Sequence, residues 1–125
     1  MKRLEVACKN PYVRHIAHPT GRIIGRRPGY KPNIEKLMKL AEETNTILEI
    51  NANPKRLDLN AETVRKYPNV KLTINTDAHH TNHLEFMKYG VATAQKGFVA
   101  KDRVVNALSR EEFKSLIENN IKLRK

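Results

Sequence analysis

Residues 73 to 80 read TINTDAHH. A short β-rich run ends in polar residues, and Asp77, His79 and His80 follow within four positions. An ionised carboxylate and neutral imidazoles are the usual protein ligands of zinc, manganese and iron. The D-x-H spacing lets Asp77 and His79 converge on one point where a strand runs out. His18 closes an earlier β-rich run in the same way, so three ligand-type residues can share one rim. The same residues also admit a purely structural reading, with Asp77 capping a following short helix and His79 hydrogen-bonded to backbone. The other histidines carry less. His15 lies mid-strand and reads as a wall or surface residue, His80 as surface or as support for its neighbours, and His83 as the start or cap of a helix.

A second signal follows His18 directly. Residues 19 to 32 hold Pro19, Gly21, Gly25, Pro28, Gly29 and Pro32, interleaved with Arg22, Arg26 and Arg27. The prolines and glycines mark a loop long enough to suspect function. Guanidinium forks match phosphate oxygens, so Arg22 and Arg26 are candidate phosphate contacts. A solvated basic loop is the alternative. Asn51 and Asn53 end the middle apolar run, with Glu49 just inside it, and Asn53 is a further candidate contact.

The elements that must position these residues can be read from periodicity. Residues 2–9 suit a short helix, broken by Asn10-Pro11. Residues 12–17 read as a strand. Ile34, Leu37, Met38 and Ala41 follow the helical repeat, with Asn33 as N-cap. TILEIN (46–51) and VKLTIN (70–75) alternate as strands, the latter with Val70, Leu72 and Ile74 on one face. Asn60 can cap a helix to about Lys66, and a short helical stretch suits 82–88. Asp102 can cap a helix over 103–108. Ser109 and Glu112 form a capping box ahead of Phe113, Leu116 and Ile117. This βα repetition predicts an α/β fold with a parallel sheet, whose ligands gather at the C-terminal strand ends.

The 125 residues allow one small domain, without a linker or repeat. Lys and Arg number 24 against 13 acids, a net charge of +11. The excess is uneven: residues 1–40 hold ten basic and two acidic residues (+8), and 41–125 hold fourteen and eleven (+3). That bias suits a polyanionic partner such as nucleic acid or a phosphorylated substrate, or simply solubility. The single cysteine, Cys8, excludes an intrachain disulfide and reads as a small buried hydrophobe in a cytoplasmic setting. No apolar run is long enough to span a membrane.

Taken in order, HPTGRIIGRRPGY (18–30), EINANPKRLDL (49–59), INTDAH (74–79) and YGVATAQKG (89–97) resemble the PHP (polymerase and histidinol phosphatase) domain. They are most similar to the PHP domain at the C-terminus of bacterial and archaeal X-family DNA polymerases. The resemblance implies that residues 1–125 are the C-terminal portion of a distorted seven-stranded β/α barrel, with about three parallel βα units and two closing helices. It implies a manganese or zinc cluster that hydrolyses phosphoesters, and 3′–5′ exonuclease or DNA end-processing activity. It places His18, Asp77 and His79 as metal ligands, with Asp77 and His79 catalytic, and Arg22 as a phosphate contact.

The H-x-H motif and other early ligands of the family have no counterpart in this sequence. The expectation is therefore a fragment whose partners include the remainder of the barrel and its polymerase domains. An open sheet of about three strands is also expected to expose an apolar surface, covered by another chain or by self-association. Two other functions stay open: a small-molecule phosphatase of the histidinol phosphatase type, and a non-catalytic basic module that binds nucleic acid.

Overall fold

The computed structural model describes residues 1–123. Three strands, β1 (His15–Ile16), β2 (Ile47–Asn51) and β3 (Leu72–Asn75), form one parallel sheet in the order β1-β2-β3. Helices α1 (Lys2–Lys9), α2 (Ile34–Thr44), α3 (Ala61–Lys66), α4 (Met87–Lys96) and α5 (Arg110–Leu123) complete the fold. The parallel α/β character is as expected. Among the described residues the sheet is open, and no barrel closes.

The register assigns the faces. Ile16, Leu48 and Leu72 lie side by side, as do Ile50 and Ile74, so these five residues share one face. That face packs into the core with Leu37, Met38 and Ala41 of α2, Val64 of α3 and Ala94 of α4. Leu37, Met38 and Ala41 fall at the helical repeat read from the sequence, because that spacing puts them on one side of the helix. Asn33 and Asn60 cap α2 and α3, their side chains accepting from the Lys36 and Thr63 amides. The Ser109–Glu112 capping box forms as expected, each side chain accepting from the other residue's backbone amide.

His15, Ile47, Glu49, Asn51, Thr73 and Asn75 share the opposite face. It is mostly polar and internally hydrogen-bonded, so the apolar face expected of an open sheet is absent. Exposed apolar side chains lie off the sheet instead, at Val6, Tyr30, Val91 and Phe98 among others.

Three boundaries differ from the sequence reading. The first strand is only two residues long. The helix expected over 103–108 is replaced by two 3₁₀ turns, Lys101–Arg103 and Val105–Ala107. Val104 between them pairs with Leu72, and an extended residue cannot continue a helix. The Asn106 side chain then donates to the Ile74 carbonyl and accepts from its amide, occupying the free edge of β3 as a strand would. Finally, the short helical stretch expected over 82–88 is a 3₁₀ turn, Thr81–Phe86, that runs on into the ten-residue α4.

Helix α4 approaches the sheet through Gly90. A Cβ there would stand 2.4 Å from Ile74 Cγ2 and 2.7 Å from Ala52 Cβ. Gly90→Ala is expected to destabilise the fold by about 1–3 kcal/mol through overpacking, read as a lower urea midpoint at unchanged m-value.

Candidate phosphate-binding cleft at the strand ends

The C-terminal ends of the strands are drawn together by one buried carboxylate. Glu49 on β2 accepts from the backbone amide of His18 (2.6 Å) and from the side-chain amides of Asn51 (3.2 Å) and Asn75 (3.0 Å). Next to it, His15 Nε2 lies 2.7 Å from Thr73 Oγ1, which places His15 in the wall as expected. Burial lowers the His15 pKa below its ordinary 6.5, and the Glu49 charge opposes this only in part.

The basic segment after His18 is a folded flap. Ile23 and Arg27 exchange backbone hydrogen bonds at 2.8 Å around Gly25, whose φ of +74° favours glycine. Asp58, which the sequence reading passed over, anchors its base. One carboxylate oxygen accepts from the Thr20 amide (3.0 Å), the Thr20 hydroxyl (2.9 Å) and the Gly21 amide (3.1 Å). Ile24 donates to the Lys55 carbonyl at 2.7 Å, fastening the tip of the flap to the segment after β2.

Flap and β2 exit enclose a cleft of about 370 Å³, lined by Ile23, Ile24, Gly25, Arg26, Asn53, Lys55, Arg56, Asp77 and His79. Of the residues expected at a site, Arg26, Asn53, Asp77 and His79 meet here. Arg22 does not line this cleft. Its Nε donates to the Arg56 carbonyl at 2.6 Å and its Nη2 to the Leu57 carbonyl, so its guanidinium braces the segment that carries Arg56. Arg56 itself was missed. Its Nε meets Asp77 Oδ2 at 2.9 Å, with the two side chains only 18% and 21% exposed. The available signal was its place in the turn after β2, on the same rim as Asp77.

Asp77 caps no helix. His80 takes that role, accepting from the Asn82 amide, where the sequence reading had put His83. His79 Nδ1 lies 2.7 Å from the Asp77 carbonyl. A carbonyl can only accept, so Nδ1 is the donor of this bond and Nε2 is the ring nitrogen left for other partners. His18 and Asp77 both hold left-handed backbone, at φ 29° and 54°. Such conformations cost of order 1–3 kcal/mol each in non-glycine residues and cluster at functional sites.

His18 lines a different cleft, of about 540 Å³, beside Met1, Leu4, Ile16 and Tyr30. Among the described residues no three His, Cys, Asp or Glu side chains are grouped to hold a metal ion. The donor set of this chain, with Asp77 paired to Arg56 and His18 apart, does not by itself fit a metal. What the cleft offers an anion is a lining with three cations, Arg26, Lys55 and Arg56, against one carboxylate, Asp77, which is paired with Arg56.

No family model matches the chain. It is 50% identical over 122 residues, 96% of its length, to a protein of Bacillus subtilis (strain 168), DNA polymerase/3'-5' exonuclease PolX. The chain is a homologue of one stretch of that protein. The PHP resemblance of its motifs is upheld. The chain spans about a fifth of that polymerase, 21% of its length. No helix among the described residues is long and apolar enough to cross a membrane.

Glu49→Ala is expected to cost about 3 kcal/mol or more, because it strands the His18 amide and two amide side chains in a buried setting; chemical denaturation measures it. His15 adds a pH term of defined sign. Its folded pKa lies below the unfolded value of 6.5, so the unfolded chain binds the proton first. The His15 contribution is complete above pH 6.5 and is lost as pH falls through the folded pKa. Melting curves from pH 8 to about 5 are expected to be flatter for His15→Gln than for the parent.

Proposed function

We propose that this chain is a stretch of the phosphoesterase module of an X-family DNA polymerase, acting in 3′–5′ removal of nucleotides and DNA end processing. The observation that carries the reading is the 50% identity to a polymerase and 3′–5′ exonuclease across almost the whole chain. The cleft is consistent with it. Three cations beside Asp77 and His79 suit a phosphodiester, whose oxygens guanidinium groups bind in pairs.

In this reading Arg26 and Arg56 hold phosphate oxygens, with Asn53 as a neutral hydrogen-bonding partner. Arg56 also fixes the carboxylate of Asp77 through the observed ion pair. His79 presents Nε2, its ring set by the hydrogen bond to the Asp77 carbonyl. Arg22 acts on the phosphate through the Arg56 turn that it braces. His18, Asp77 and His79 are proposed as contributions to a manganese or zinc site that further residues of the parent polymerase, or of another copy of this chain, must complete.

The test is a chimera in which this chain replaces the matching 122-residue segment of the Bacillus protein. Manganese-dependent release of nucleotides from a 3′ end is expected to persist in the chimera. It is expected to fall at least 100-fold in Asp77→Ala and about 10- to 100-fold in Arg56→Ala. A chimera that folds and polymerises but whose exonuclease activity ignores Asp77→Ala would overturn the assignment. Hydrolysis of small phosphate monoesters in preference to DNA would point to the small-molecule phosphatase reading.

A further inference from the structure

The segment between the cleft and α4 carries an unexplained row of rings. His80, His83, Phe86 and Tyr89 recur at every third position. The backbone from Thr81 to Phe86 is a 3₁₀ helix of six residues, longer than such turns usually run. With three residues per turn, positions i and i+3 eclipse, whereas an α-helix would wind them apart. The rings therefore form a column. Centroids are 6.1 Å apart for His80 and His83, 4.8 Å for His83 and Phe86, and 6.2 Å for Phe86 and Tyr89. The middle pair lies nearly parallel, at 20°, and supports the two ends. His80 is exposed, and Tyr89 is 42% exposed with Lys88 Nζ 5.3 Å from its ring centre.

The column joins two basic places. At one end His83 Nδ1 accepts from the amide of His79, which lines the cleft with Arg26, Lys55 and Arg56. At the other, Tyr89 lines a shallow pocket of about 360 Å³ with Arg22, Thr93 and Lys96. Glu85 is the one acid between residues 78 and 100. Exposed rings alternating with cations bind single strands, because every base has a π-face and every linkage a charge.

We propose that His80 and Tyr89 form a base-stacking platform that holds single-stranded DNA against α4 and feeds its 3′ end into the cleft. The platform rests on the nuclease reading for its direction, but binding along the column needs no hydrolysis. A duplex keeps its bases stacked inside and offers the rings nothing, so the platform selects frayed or single-stranded ends.

The test is fluorescence anisotropy of a labelled twelve-nucleotide thymidine strand, and of a duplex of equal length, titrated with the whole chain in chelator. His80→Ala and Tyr89→Leu are each expected to weaken single-strand binding about 5- to 100-fold. The slope of log affinity against log salt should stay unchanged, because no phosphate contact is removed. Tyr89→Phe keeps the ring and should bind like the parent, which separates stacking from any loss of fold. Circular dichroism checks that each variant is folded. Unchanged affinity in Tyr89→Leu, or an equal loss on duplex, would overturn the platform. Because chelator excludes turnover, such a failure leaves the nuclease reading standing. Conversely, normal single-strand binding by an inactive chimera would sink the nuclease reading and spare the platform.

Discussion

One buried carboxylate organises the site end of this molecule. Glu49 is 5% exposed, yet all its observed partners are neutral amides: the backbone of His18 and the side chains of Asn51 and Asn75. A charge in that position is tolerated only when its lone pairs are filled. Filling them requires the ends of β1, β2 and β3 to lie at one level. The requirement for satisfaction therefore sets the rim on which Asp77, His79 and the flap are mounted. It also explains why the second sheet face is polar in an open sheet that would otherwise expose hydrocarbon.

The flap repeats the logic one step outward. Asp58 fills one oxygen with three donors from Thr20 and Gly21, and Arg22 satisfies carbonyls of the turn that leads back to Asp58. Each loop thus supplies the other's hydrogen bonds. Neither the flap nor the 53–57 turn has a hydrophobic core of its own, so their shape rests on this exchange. The left-handed residues His18 and Asp77 sit at the two strand exits from which that exchange starts. Backbone cost is held there by the surrounding bonds, as is common where side chains must be aimed.

The electrostatics of the cleft follow from what surrounds Asp77. Arg56 is the partner within reach, and Arg26 and Lys55 leave the cleft positively charged overall. An anion entering it meets Arg56 already held by Asp77 and by the Arg22 carbonyl, so that side chain loses little order on binding. The ring column beyond His79 extends the same surface with π-faces in place of charges.

How much of this was readable in the chain varies with the range of the interaction. The caps at Asn33, Asn60 and Ser109 and the helix over 34–44 depend on neighbours three or four residues away, and the strands read at 46–51 and 70–75, which form over 47–51 and 72–75, depend on alternation at every second residue. Sequence spacing therefore determined them, along with the PHP motifs and the excess of basic charge. Tertiary contact decided the rest. Val104 became extended because β3 had a free edge, which no local propensity records. Arg22 turned to the Arg56 and Leu57 carbonyls because the fold brought residues more than thirty positions away beside it. Arg56 and Asp58 acquired their roles the same way, across separations of 21 residues to Asp77 and 37 or 38 to Gly21 and Thr20. His18 and Asp77 share strand ends in the sequence pattern, but in the fold they line different clefts, and both hold left-handed backbone. Local rules fix which elements form and which residues could do chemistry. Long-range hydrogen-bond satisfaction fixes which of those residues meet.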